Sequence, residues 1–534
     1  MSPQTEIEKD TTAVSVVPEI HKGDPDLDTA EEVIHAETEY TEEEYKKLRR
    51  KFDFTLLPVM MLVYGLQFSD KISLSSGVIF GLLPDTGMNA SQYSLLTVFF
   101  YVAYLVGQFP MNYALQRWPL GKGLGCTIIA WGTAVLGIGF CNTYGELSAC
   151  RVLLGWFEAP ITTGFLLIVA SWYKREESTL RSSCFFAMNT FLGGIFNLII
   201  YGLAKHAEES GGPSGWRVIN WFLGGLTMFS GVLILIFIGT PQEVWWLNKE
   251  QKRMVQCSNP GGGESRAWDW AQAKECVRDP QFYFIIIFGL SAQIPNGALT
   301  TFSTLIYKGF GFTPLETILY GLPANYLGFT VIIGSALVVT RWQRARFPLA
   351  MMWSSVGVII YLYIGVGNGN KWQKWAAYMW STTPTVPTFL IWPMITTNAA
   401  GRTKKTVLGA TTFIIYCAGN MIGSQIVRPS DAPRYLKSLT ACSVVLIVKT
   451  ASLGAWWLYY MRENKRRDAE QQAAGITEEE RDCTSTSLRA RLIRLIDRTD
   501  TSGICVKLYP DARAASRRDD RPLSKHLRRR GKRC

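Results

Sequence analysis

Between about residues 54 and 461 the chain alternates long apolar runs with short polar breaks, and the runs are longer than the elements of a water-soluble core need. A hydrocarbon layer about 30 Å thick takes about 20 residues of α-helix to cross. Runs of that length lie at 54–80, 92–116, 120–141, 145–172, 180–205, 216–239, 281–307, 315–340, 347–366, 373–398, 405–427 and 436–461, which predicts twelve spanning helices. The longest internal polar stretch, 240–279, carries Gly261-Gly262-Gly263 and the charges Lys249, Glu250, Lys252, Arg253, Glu264 and Arg266, and it separates two groups of six. The pattern predicts an all-α integral membrane protein in two six-helix bundles. Its parts are a tail at 1–53, a bundle at 54–239, a linker at 240–280, a second bundle at 281–461 and a tail at 462–534.

The short connections give the orientation, because basic residues are retained on the cytoplasmic side. Arg117 and Lys122 follow the second run, Lys174, Arg175 and Arg181 the fourth, Arg341, Arg344 and Arg346 the eighth, and Arg402, Lys404 and Lys405 the tenth. The alternate connections are poorer in Lys and Arg: none at 81–91 or 142–146, Lys205 near the end of the fifth run, and Lys371 with Lys374 as an exception. Both termini and the 240–279 linker are therefore expected in the cytoplasm, in a plasma-membrane protein. Six plus six helices with both ends inside is a layout of transporters built from two related halves, with the substrate site near the midplane between them.

Composition agrees with lipid as the solvent: 48% of residues are AVILMFWYC and 18% are charged. The net charge of +12 belongs to the tails. Residues 483–534 hold fifteen Lys/Arg against five Asp/Glu, and residues 1–53 hold seven against fifteen. Such tails are expected to be mostly disordered, with contact to anionic lipid as the alternative for the basic one, and no nucleic-acid partner is expected. Eleven cysteines without C-x-x-C spacing, several beside apolar stretches (Cys126, Cys150, Cys184, Cys442), argue against a disulfide scaffold. His21, His35, His206 and His526 all lie away from the middle of an apolar run, which excludes a histidine-based intramembrane metal or acyl-transfer centre. No cofactor and no metal are expected. The acidic opening does not read as a cleavable signal peptide, so the first helix is expected to direct insertion.

Inside runs this apolar, each ionisable group is costly to insert, about 2.5–3.5 kcal/mol at a helix centre on insertion scales, and tends to mark an ion or substrate pathway. Asp70-Lys71 lies in GLQFSDKISLSSG of the first run, and Arg151 and Glu158 lie in RVLLGWFEAP of the fourth. A spacing of seven is two helical turns, which puts Arg151 and Glu158 on one face about 10 Å apart. The four are neutral with both carboxylates ionised; with Asp70 and Glu158 protonated, the charge of Lys71 and Arg151 attracts an anion. A set of structural ion pairs is the alternative. Asn189, Asn197 and Asn420 can either donate to a substrate or bond across helices, and Gly419-x-x-x-Gly423, Ala103 with Gly107, and Gly193-Gly194 read as close helix contacts. Gly121-Lys-Gly-Leu-Gly125 lacks the spacing of a phosphate-binding loop, so no nucleotide-driven pump is indicated.

Three stretches carry a family resemblance: GQFPMNYALQRWPLGKGLG, then RVLLGWFEAPITTGFLLIVASWYKREE, then NAAGRTKKTVLGATTFIIYCAGNMIGSQI, followed by MRENKRRD. In this order and spacing they resemble the fungal allantoate permease family, in the anion:cation symporter branch of the major facilitator superfamily, over about residues 50–470. The resemblance implies alternating access driven by proton symport, for small organic anions such as allantoate, ureidosuccinate, nicotinate or other vitamins. It also implies proton coupling at Asp70 and Glu158 and anion binding at Lys71 and Arg151, to which the residues add Asn189 and Asn420 as candidate substrate contacts. Two departures stand out. Gln116-Arg-Trp-Pro-Leu-Gly-Lys122 replaces the superfamily's acidic loop pattern, and Thr162-Thr163-Gly164 replaces a Pro-Gly, which bears on helix bending beside the site. The basic tail after Arg481 does not resemble the family; disorder is expected there, with a short interfacial helix at 488–496 as the alternative.

The expected function is thus proton-coupled uptake of a small organic anion, with no obligate protein partner. An exporter of a fungal secondary metabolite is the alternative within the same fold, and a nutrient-sensing transceptor the alternative of another class. A polytopic membrane enzyme is disfavoured, because the apolar runs hold neither a histidine nor the paired aspartates such an enzyme would use.

Overall fold

A computed structural model describes residues 42–173, 175–258, 269–397, 399, 402–427, 431 and 434–473; the expectations for the tails beyond them lie outside the described residues. The spanning elements are α1 (Glu42–Ile79), α2 (Ala90–Arg117), α3 (Leu120–Ile138), α4 (Tyr144–Trp172), α5 (Arg175–Ser210), α6 (Gly215–Phe237), α7 (Pro280–Gly309), α8 (Pro314–Arg341), α9 (Arg346–Val366), α11 (Arg402–Ile426) and α12 (Leu436–Ala473). Between α9 and α11 stands α10, a composite of helix Lys371–Tyr378, a 3-10 stretch Met379–Thr385 and helix Val386–Thr397. Eleven helices among the described residues are long and apolar enough to cross a membrane, and α10 is the twelfth segment. The chain divides at Trp456 into two units; in the described part of the second, Glu463 pairs with Arg466 and Arg467 one turn on.

Helix starts follow local chemistry. Reciprocal capping boxes open α2 (Asn89 with Gln92), α4 (Thr143 with Glu146), α8 (Thr313 with Glu316) and α10 (Asn370 with Gln373), satisfying backbone N–H groups that a helix start leaves unpaired. Asp279 caps α7, whose first residue is Pro280, where a missing N–H costs nothing.

Two helices begin or end differently from the apolar pattern. The first starts at Glu42, twelve residues before the apolar run, because Phe52 in the added stretch packs on Trp172 (ring centroids 4.7 Å apart) and Trp246, themselves stacked 5.2 Å apart. The expected tenth helix, 373–398, is broken. Pro384 lacks the N–H that would continue the ladder, and hydroxyls take over its bonds: Thr383 donates to Trp380 O (2.8 Å), Thr385 to Thr382 O (2.6 Å) and Thr382 to Ala324 O (3.3 Å). The 240–279 linker contains helices Lys249–Ser258 and Trp270–Arg278, and Lys404 of α11 holds the second through Glu275 (3.3 Å) and Asp279 (3.1 Å).

Within each half, small residues set the helix separations. A Cβ on Gly423 of α11 would collide with Ile294 O of α7, so the Gly419-x-x-x-Gly423 stripe is a packing surface. The halves meet through α1 with α7, α2 with α11 and α5 with α8. Their mutual hydrogen bonds among the described residues gather where α1 ends and α2 begins. Ser75 and Thr304 hydroxyls lie 2.7 Å apart, Tyr93 donates to Thr301 O (2.6 Å), and Ser94 donates to Gln425 Oε1 (3.3 Å).

Candidate functional site

Asp70 and Lys71 are adjacent on α1, so their side chains leave the helix about 100° apart and serve different neighbours. Asp70, 1% exposed, turns to α3 and accepts a hydrogen bond from the Trp131 indole N–H at 3.2 Å. Its other carboxylate oxygen is buried without a hydrogen-bond partner among the described residues. Lys71 turns to α4 and places its ammonium 2.6 Å from Glu158 Oε1, with the Phe100 and Tyr104 rings of α2 at 5.8 and 5.9 Å. Opposite charge and two aromatic faces together hold a cation whose side chain is 15% exposed.

The local sequence of α4 delivers both remaining charges. Glu158, 0% exposed, is the last residue before the helix breaks at Ala159-Pro160 and resumes at Ile161; its Oε2 is buried and unbonded among the described residues. After the break, Thr162 hydrogen-bonds Tyr64 of α1 at 3.0 Å, so α1 is pinned to α4 on both sides of the bend. One turn below Glu158, Gly155 lets α4 press on α2: a Cβ there would collide with Phe100 O. Arg151, two turns from Glu158, is 4% exposed, its Nε is unbonded, and no ion pair within 4 Å engages it among the described residues. The carboxylate acting on it most strongly is that of Asp70. Glu158 is therefore paired with Lys71 and not with Arg151, whose guanidinium has no direct ion-pair partner among the described residues.

The two asparagines differ. Asn189 on α5 has a buried Oδ1 with no partner among the described residues, which leaves it a free acceptor; no hydrogen bond connects it to the four charged groups. Asn420 on α11 is saturated: its Nδ2 donates to Tyr416 O (2.7 Å) and Gln293 Oε1 (3.3 Å), and its Oδ1 accepts from Asn296 Nδ2 (2.9 Å). Of the two uses open to Asn420 from sequence, the structure displays bonding across helices.

Several neighbours were not foreseen. Trp131 is an indole in an apolar run until the fold brings it to Asp70. Tyr101 and Tyr104 of α2 face Tyr416 and Phe413 of α11, with Tyr104 stacked on Phe413 at 5.2 Å, so an aromatic wall joins the halves beside Lys71. Lys449 of α12, 0% exposed, donates to Pro384 O at 2.5 Å and lies 5.5 Å from the Phe288 ring. It did have a signal, since it stands alone in LIVKTASLG as Asp70-Lys71 does in the first run.

This helical fold is found among solved transporters. The xylose transporter XylE from E. coli superposes with a TM-score of 0.59 over 75% of this chain and 97% of its own, at 11% identity. A bacterial homolog of the human lysosomal transporter Spinster, inward-facing and occupied, gives 0.58 over 76% and 96%, at 15% identity. The fold is that class. The family model described as Major Facilitator Superfamily matches residues 56–424. Allantoate permease of Saccharomyces cerevisiae is 32% identical over 86% of this chain and 87% of its own length, and an uncharacterized transporter of Schizosaccharomyces pombe is 34% identical over 83% and 86%. The chain belongs to the Major Facilitator Superfamily, in the group of fungal transporters that includes allantoate permease.

Proposed function

We propose that this transporter carries a small organic anion, a carboxylate of the allantoate kind, into the cell together with protons by alternating access. The observation that carries the reading is Arg151: a buried guanidinium without an ion-pair partner among the described residues, which a carboxylate can engage through two parallel hydrogen bonds. Asn189 offers a further polar contact from α5. The name of the S. cerevisiae relative supports the substrate class.

Charge counting supplies the coupling. Asp70, Lys71, Arg151 and Glu158 sum to zero when ionised, so an added monoanion leaves one net negative charge in a low-dielectric interior, which is costly. One proton on Glu158 restores neutrality and releases Lys71 from its 2.6 Å pair, freeing a second cation for the substrate. Substrate and proton thus favour each other's binding, and the loaded site crosses the membrane neutral. Asp70, half-satisfied by Trp131, is the second place a proton can reside. With the basic connections in the cytoplasm of a plasma-membrane protein, the hydrogen-bonded end between the halves is the outer one, and the conformation described is closed outside. The halves 54–239 and 281–461 are then the two bodies that rock about the site, with the termini inside.

Proteoliposomes with an imposed pH gradient test this. One pH unit is worth about 1.36 kcal/mol per proton, so one-proton symport of a monoanion sustains about tenfold accumulation per unit. Glu158→Gln should abolish that accumulation while substrate-for-substrate exchange continues, exchange serving as the control for folding. A Gln variant that still concentrates substrate in response to the gradient removes Glu158 from the coupling role.

A further inference from the structure

Two of the cysteines meet where the α3–α4 connection turns. Cys141, buried, lies just past the end of α3, and Cys150, half-buried, lies on the second turn of α4; their sulfurs are 3.7 Å apart. Cys141 also bonds Gly137 O at 3.3 Å, which holds its side chain against the turn. Of the other cysteines, Cys126, Cys184, Cys276, Cys417 and Cys442 make no such sulfur–sulfur contact.

We propose that Cys141 and Cys150 form a disulfide on the outer face, a covalent modification site that staples the exit of α3 to the second turn of α4. Sulfurs 3.7 Å apart are about 1.7 Å from the bonded separation of about 2.05 Å. The segment they enclose, residues 142–149, contains the Thr143–Glu146 capping box, so the backbone between them is already ordered and the bridge imposes little new constraint. The outer location rests on the orientation read above, in which the connection without Lys or Arg at 142–146 faces away from the cytoplasm. That side passes through the oxidising secretory lumen during synthesis, where disulfides form and persist. The reaction is thiol–disulfide exchange with a protein disulfide oxidant. The oxidant's S–S bond breaks, one Sγ–Sγ bond forms between Cys141 and Cys150, and the two thiol protons end on the reduced oxidant's pair of thiols.

The bridge has a place in the site, because Cys150 directly precedes Arg151. Fixing the first turns of α4 against α3 fixes the helix that presents the guanidinium, and α3 also carries Trp131, the partner of Asp70.

Trypsin provides a direct test. Cleavage after Lys122 and Arg151 releases one peptide, Gly123–Arg151, that contains Cys126, Cys141 and Cys150 and no other cysteine. Full-length protein purified from a eukaryotic plasma membrane is denatured in N-ethylmaleimide without reductant and digested. The expected peptide carries one maleimide, located on Cys126 by fragmentation, and is lighter by two hydrogen atoms than the sequence requires; prior reduction raises the count to three. Three maleimides without reductant, or a maleimide on Cys141 or Cys150, overturns the proposal. An N-terminal epitope exposed to protease on intact cells separates the two layers of reasoning. A protected epitope with three maleimides refutes the disulfide alone, whereas a digested epitope with three maleimides refutes the orientation and the disulfide with it.

Discussion

Replacing Lys71 by Met isolates the ion pair at the centre of the site. The substitution keeps the length of the side chain and removes the ammonium that lies 2.6 Å from Glu158, leaving a carboxylate with no exposure to water. Stripping one partner from a buried pair costs about 3–5 kcal/mol. Glu158 has an escape, however, because it can take up a proton, and at pH 7 that uptake costs at most about 3.7 kcal/mol against an ordinary glutamate value of about 4.3. At pH 5 the same uptake costs about 1 kcal/mol. The loss of stability in Lys71→Met should therefore reach about 3–4 kcal/mol at pH 7 and shrink by about 2–3 kcal/mol at pH 5, since the proton that the folded variant holds and the unfolded chain mostly lacks costs that much less to take up at the lower pH. Adding Glu158→Gln removes the orphaned charge, so the double variant should be more stable than Lys71→Met at pH 7 and should lose the pH dependence. Unfolding free energies in mixed detergent micelles, measured for the three proteins at both pH values, give the cycle. Equal destabilisation at pH 5 and pH 7, or a double variant no more stable than Lys71→Met, would refute the reasoning that Glu158 is a buried carboxylate held ionised by Lys71.

Arg151→Lys should weaken substrate binding about 10–100-fold while leaving folding intact, because a single ammonium cannot reproduce a forked pair of charge-assisted hydrogen bonds worth about 1.5–3 kcal/mol each; equilibrium binding of labelled substrate checks it, and unchanged affinity returns Arg151 to a structural role. Gly155→Ala should destabilise the protein by about 1–3 kcal/mol, because its Cβ collides with Phe100 O between α2 and α4, whereas Gly225→Ala, with nothing within 4 Å, should be silent in the same thermal assay. Lys449→Met should leave stability unchanged or raise it by up to about 4 kcal/mol, since its ammonium is buried with the Pro384 carbonyl as its hydrogen-bond acceptor; a large loss of stability would show that the bond to Pro384 holds α10 in its broken form.

Length and polarity along the chain were enough to place the spanning helices, because crossing a hydrocarbon layer needs about 20 apolar residues whatever the tertiary arrangement. The capping boxes at Asn89 and Thr143 act within four residues, and the break in α10 has a local cause in Pro384, although the thresholds of an apolar run passed over it. Asp70, Lys71, Arg151 and Glu158 were legible for the same reason: ionisable groups in a run that excludes water are few, and each is costly enough to stand out. Their pairing was not. On α4 alone Arg151 and Glu158 share a face, and nothing in the spacing says that Glu158 takes Lys71 while Arg151 stays unpaired; that depends on the rotation of α1 against α4, set by contacts such as Tyr64 with Thr162 and Gly155 with Phe100. Trp131 at Asp70, the aromatic wall of Tyr104 and Phe413, the saturated bonds of Asn420 and the meeting of Cys141 with Cys150 are likewise products of packing. A side chain's periodicity tells which way it leaves its own helix; which neighbour it meets is decided by how the other helices are turned toward it.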